Sequence, residues 1–150
     1  MHTLFIPPAH PQIYYSGRFD FTDPSQAKHS WPGSSLFIRF EASAVTLHLK
    51  TTCSKEDKPL GNFYNIILDG VVIESIASNS HTTSHEILND LSPGIHTLEV
   101  FRRTESYTGY SSFLGFDLSH STIIPMIHPY IPPARTIEFY GDSLSCGYGN

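Results

Sequence analysis

Cysteine is scarce in this chain, with two among 150 residues, Cys53 and Cys146. Neither belongs to a Cys-x-x-Cys pair or to a zinc-type spacing, so no disulfide framework or structural metal organises the fold, and both are read as thiols. Charge is sparse too, at 15% of residues, and nine basic residues against fourteen acidic ones leave a formal net charge of -5. The basic residues are not clustered, which excludes nucleic acid and anionic membrane surfaces as partners. Long apolar runs are missing as well. The opening Met1 to Pro8 has no basic n-region and too short an apolar stretch for a signal peptide or a membrane span, so secretion is not encoded there. The compartment stays unassigned, with the cytoplasm expected if Met1 is the native start. Helical periodicity is the last absence, because no long window carries a good 3.6-residue period.

What remains favours strands. Aromatic residues make up 13% of the chain, and eleven prolines and ten glycines punctuate it, a balance that suits many short strands joined by tight turns. Pro7, Pro8 and Pro11 fix the start as an extended arm lying along the domain. Ile13 to Phe21, broken by Gly17, reads as a first strand with a bend or bulge, and Asp23-Pro24 opens a turn. Trp31-Pro32-Gly33-Ser34 precedes a clear strand in which Leu36, Ile38 and Phe40 alternate with Phe37, Arg39 and Glu41. Val45, Leu47 and Leu49 repeat the pattern, and the short Ala42-Ser43-Ala44 link predicts a hairpin between the two runs. Thr51 to Gly61 reads as a solvated polar loop.

Asp69-Gly70, flanked by Phe63 to Leu68 and Val71 to Ile76, is the strongest hairpin signal, since both turn residues tolerate positive φ. His85 to Leu88 reads as a strand or one helical turn. On a helix, His81 and His85 would share a face, but Thr82-Thr83-Ser84 is a poor helix former, and no metal or other cofactor is expected. Ile95 to Arg103 and Ser112 to Leu118 complete the set. Roughly eight short strands imply an all-β, jelly-roll-like β-sandwich over residues 1–118. Residues 119–135, rich in proline, read as a semi-rigid linker. Beyond it, Ile137, Phe139 and Tyr140 suit a short strand buried on both faces, the opening of an α/β domain with no partner strand in this chain. That end is expected to be disordered, docked on the sandwich or covered by another chain.

Gly141-Asp142-Ser143 follows this run. Gly141 permits a close strand-to-turn exit, and Ser143 at the start of a helix would present its hydroxyl and use its own N–H as one oxyanion donor. A Gly-Asp-Ser triplet is also common in ordinary turns. In its longer context, from Ile137 to Asn150, the segment resembles the first block of the GDSL or SGNH hydrolases, in the form found in carbohydrate esterase family two (acetyl xylan esterase-like). The upstream landmarks Gly17-Arg18-Phe19-Asp20, Trp31-Pro32-Gly33-Ser34, Asp69-Gly70, Gly94-Ile95-His96-Thr97, Arg103-Thr104-Glu105 and Phe113-Leu114-Gly115-Phe116 resemble that family's N-terminal domain, in the family's order.

The resemblance implies a two-domain enzyme that removes acetyl groups from plant polysaccharides or oligosaccharides. Residues 136–150 would open its SGNH domain, with Ser143 as nucleophile and Gly141 and Asp142 as structural residues of the turn. The family's histidine and its other oxyanion donors belong to later blocks. Among the nine histidines, His120 and His128 lie nearest the tail, but none follows Ser143, so the 150-residue chain alone is expected to be inactive. A non-catalytic carbohydrate-binding or docking module is the alternative. Trp31 reads as a core or rim aromatic, with sugar stacking as its functional alternative. Arg102-Arg103-Thr104-Glu105 reads as a surface ion pair, or else as a bridge to the further domain.

Overall fold

In a computed structural model, residues 2–53, 61–120, 126–135 and 137–143 are described. Among them the chain forms eleven strands and one 3-10 turn, Ser106–Thr108. The strands are β1 (His2–Ile6), β2 (Tyr14–Ser16), β3 (Ala27–His29), β4 (Ser35–Glu41), β5 (Ala44–Cys53), β6 (Asn62–Leu68), β7 (Val71–Ser78), β8 (Ser84–Leu88), β9 (His96–Arg102), β10 (Gly109–His120) and β11 (Met126–His128). One sheet runs β1-β10-β5-β8, with β3 also on β10, and the other runs β11-β4-β9-β6-β7, with β2 also on β4. Among the described residues every strand pairing is antiparallel, so each sheet can be wetted on one face and packed on the other. The fold is the all-β sandwich expected from the sequence.

The core follows from the alternation. Leu36, Ile38 and Phe40 of β4 are buried against Val45, Leu47 and Leu49 of β5, together with Tyr64, Ile66, Leu98 and Val100. At roughly 1.5–3 kcal/mol for each large apolar side chain, this inter-sheet layer is the main source of stability. The two runs expected to form a hairpin lie in different sheets. The link at Ala42 and Ser43 crosses between them, and Ser119 O accepts from both Ser43 N and Ser43 Oγ at 2.8 Å. Alternation determines which face of a strand is buried, but not which strand lies beside it.

β10 carries a second departure from simple alternation. Phe113, Phe116 and Leu118 all point inward, a spacing made possible by a register shift between Phe113 and Gly115. Gly115 has φ +139, and a Cβ there would lie 2.6 Å from the Phe5 ring and 2.7 Å from Ile6 O. Glycine is therefore required where β1 crosses the bulge.

The proline arm is partly a strand, since β1 pairs with the C-terminal half of β10 and ends at Ile6, just before Pro7. Thr51 to Cys53, read as loop, extend β5, while residues 54–60 lie outside the described residues. The Asp69-Gly70 hairpin forms as expected, with φ +50 and +83. Asp69 also accepts from Thr97 N at 2.7 Å and pairs with His96 Nδ1 at 2.7 Å, tying the turn to the start of β9. His85 is on strand β8, and His81 lies in a turn whose backbone donates to Asn79 Oδ1, so the two histidines do not share a helical face. Within the proline-rich stretch, β11 pairs with Arg39 to Glu41, and Tyr130 stacks on Phe37 at 4.7 Å and on Tyr14 at 5.3 Å.

Candidate functional site

The expected nucleophile segment stands clear of the sandwich ladder. No strand includes Ile137 to Tyr140, and Ile137, Phe139 and Tyr140 are 75%, 88% and 92% exposed. An apolar run of this kind requires neighbours on both sides to be buried, and neither sheet supplies them. Tyr140 Oη donates locally to Glu138 Oε2 at 2.8 Å. Gly141, Asp142 and Ser143 are exposed, with Ser143 in a turn. Residues 144–150 lie outside the described residues, and Cys146 and any pairing with Cys53 lie there too. Of the histidines nearest the tail, His120 ends β10 opposite His2, and His128 places Nε2 3.9 Å from Glu41 Oε2.

Trp31 lies elsewhere, at one end of the sandwich. Ser34 N donates to Trp31 O at 3.3 Å, and Gly33 has φ +76, so Trp31-Pro32-Gly33-Ser34 is a type II turn with proline and glycine at the two central positions. Gly33 N donates to Arg102 O, and Arg102 N donates to Ser34 O, which fixes the turn to β9. Trp31 is thereby held 51% exposed. The Arg18 guanidinium lies 5.7 Å from the centre of its ring.

A cleft of about 360 Å³ opens on one side of this pair, lined by Ser16, Gly17, Pro32, Gly33 and Ser34 as well. A second, of about 330 Å³, shares Arg18 and Trp31 and is lined also by Asp20, Lys28, His29 and Tyr110. There the Lys28 ammonium lies 5.2 Å from the centre of the Tyr110 ring. Sequence reading found Trp31 but missed Arg18, Lys28 and Tyr110 as its neighbours. The only available signal was the position of Arg18 beside Gly17, because β3 and β10 bring the other two together across more than eighty positions.

Behind the clefts lies a buried polar network that joins both sheets. Arg102, read as part of a surface pair, is fully buried. Its Nη2 donates to Gly109 O at 2.8 Å and Asn62 Oδ1 at 3.1 Å, its Nε to Thr104 O at 3.0 Å, and its Nη1 to Tyr64 Oη at 3.3 Å. Among the described residues no carboxylate pairs with it, so neutral acceptors carry the whole cost of desolvation. Arginine only donates, so Tyr64 Oη accepts from it, and because Ala27 O, which only accepts, faces Nδ1 of the neutral ring, His29 Nε2 at 3.0 Å accepts from Tyr64 Oη. His29 Nδ1 then holds the ring proton and faces Ala27 O at 3.4 Å. Burial, reinforced by the Arg102 charge, pushes the His29 pKa down to about 4. The imidazole is neutral and occupied, a structural element of the core rather than a free base.

The sequence and the architecture have counterparts among known proteins. Residues 15–126 match the family model described as "Carbohydrate esterase 2 N-terminal". This chain belongs to carbohydrate esterase family 2. It is 34% identical over 140 residues to the cellulase/esterase CelE of Acetivibrio thermocellus, a match covering 93% of this chain and 16% of that protein. It is 24% identical over 145 residues to an acetylxylan esterase/glucomannan deacetylase of Cellvibrio japonicus, covering 97% of this chain and 38% of that one. Among solved structures, the family two carbohydrate esterase from Clostridium thermocellum in complex with cellohexaose superposes with a TM-score of 0.77 at 33% identity. That superposition covers 92% of this chain and 39% of the solved one. The family 2 chain described here thus spans well under half the length of these relatives.

Proposed function

We propose that this chain is the N-terminal part of a carbohydrate acetyl esterase that deacetylates plant polysaccharides or oligosaccharides through Ser143. The observation that carries the reading is the Gly141-Asp142-Ser143 step following residues 15–126, which match the family 2 N-terminal model. In this mechanism Ser143 Oγ attacks the acetyl carbonyl carbon while a general base takes its proton. The tetrahedral oxyanion is held by N–H donors, including that of Ser143. The sugar hydroxyl then leaves with the proton, and water releases acetate from the acyl-enzyme.

The base and remaining donors are assigned to a further domain. The small share of each relative's length that this chain covers supports that assignment, as does the lack of any histidine after Ser143 in these 150 residues. A chain extended by roughly 200 residues, about one domain, is expected to hydrolyse an acetylated xylan or glucomannan oligosaccharide, and the 150-residue chain is not. Acetate release by the short chain that disappears in Ser143→Ala would overturn the assignment.

A second reading, a non-catalytic carbohydrate-binding module, is favoured by one observation, the exposed Trp31 beside an open cleft. Titration with neutral xylan and glucomannan oligosaccharides separates the two readings, because a module saturates without any hydrolysis by the extended chain.

A further inference from the structure

The ridge formed by Arg18 and Trp31 carries more information than an aromatic alone. Arg18 is exposed, and its guanidinium has no acceptor among the described residues beyond the face of Trp31. A guanidinium held over an indole face, with no other acceptor, keeps its N–H donors available to an incoming planar bidentate acceptor. The cleft beside it is floored by Ser34, which is 2% exposed and whose Oγ lacks any hydrogen-bond partner. Gly17, with φ +101, leaves that oxygen uncrowded, since a Cβ there would approach Ser34 Oγ to 3.2 Å. That hydroxyl is closed off from solvent, so it stands as an uncompensated polar atom in the cleft wall.

The remaining charges are unevenly distributed. In the adjoining cleft the hydrogen bonds that Asp20 accepts from Thr22 Oγ1 and Thr22 N hold its carboxyl toward the ionised form, with the nearby Lys28 charge adding a smaller pull in the same direction. Arg18 and Lys28 against Asp20 leave that shared cleft with an excess of positive charge.

We propose that the Arg18–Trp31–Ser34 cleft binds a uronic-acid residue of an acidic glycan. The carboxylate takes the outer edge of Arg18, the sugar ring lies against Trp31, and the chain extends toward Tyr110. The inference takes its carbohydrate class from the esterase reading and adds the charge of the sugar. A neutral sugar meets an indole whose face is already shared with a cation, whereas an anionic one gains a charge-assisted bond there.

The test is calorimetric titration of the 150-residue chain with a xylo-oligosaccharide bearing one glucuronic acid and with the same oligosaccharide bearing none. The acidic ligand is expected to bind about tenfold more tightly, the size of one charge-assisted hydrogen bond. That margin narrows as salt is raised. Arg18→Gln, which keeps the side-chain stem, removes the margin, and Trp31→Ala weakens both ligands with the circular dichroism unchanged. Equal affinities, a preference that survives Arg18→Gln, or no saturation by the acidic ligand would overturn the proposal. Failure of the esterase reading would appear elsewhere, in the hydrolysis assay of the extended chain.

Discussion

The guanidinium of Arg102 and the imidazole of His29 share one proton-ordered chain through Tyr64, and this sets a pH dependence at the level of single residues. Folded His29 has its pKa pushed down to about 4, while an unfolded histidine titrates near 6.5. Below about pH 6.5 the unfolded chain therefore takes up a proton that the folded one refuses. Stability contributed by the neutral imidazole is present above that pH and is lost as pH falls toward about 4, up to a limit of ~3 kcal/mol. The His96–Asp69 pair acts in the opposite sense. Its hydrogen bond to Asp69 raises the His96 pKa, so its contribution is present below about pH 6.5 and lost as pH rises through the folded value. Asp69 is 48% exposed, so solvent screens that pair and the buried His29 dominates. Urea unfolding between pH 7 and pH 4 is expected to show a falling midpoint, and His29→Gln to flatten the slope. An unchanged slope in His29→Gln would count against this assignment.

At the scale of elements, two local devices hold the sandwich in register. Gly115 lets β10 bulge under β1, and a side chain there meets backbone as well as ring, so the neighbours have no cheap way to yield. Gly115→Ala is expected to destabilise the domain by roughly 3 kcal/mol, read from the unfolding midpoint. A loss within experimental error would show that β1 is free to move away. The second device is the stack of Tyr130 on Phe37 and Tyr14, which presses the segment after β11 onto the outer face of β4. Tyr130→Ala removes about 1 kcal/mol of stacking and is expected to raise amide exchange in β11 and at the β4 edge while leaving the core slow. Uniform acceleration across both sheets would instead mean that the segment supports the whole fold.

At the scale of the whole molecule, activity is expected to depend on which chain is assayed. Acetate release by the extended chain should fall by several orders of magnitude in Ser143→Ala, as removal of a nucleophile does, and an extended Ser143→Ala variant with full activity would refute the assignment of the nucleophile. By itself the sequence determined the strand character of the chain, its turns and the burial of Leu36, Ile38, Phe40, Val45, Leu47 and Leu49. Period-two alternation, proline and glycine act over a few residues, so they can be read locally. It also marked Gly141-Asp142-Ser143 and Trp31 as residues of interest. Tertiary structure alone decided that β4 and β5 lie in opposite sheets, because strand partners are chosen by long-range packing that no local pattern encodes. It alone placed Arg102 in the core, where acceptors gathered from β6, β10 and the turn between β9 and β10 satisfy a group that composition assigns to the surface. It alone set Arg18, Lys28 and Tyr110 around Trp31, since a cleft is made by residues distant in sequence that antiparallel pairing brings to one end of a sandwich.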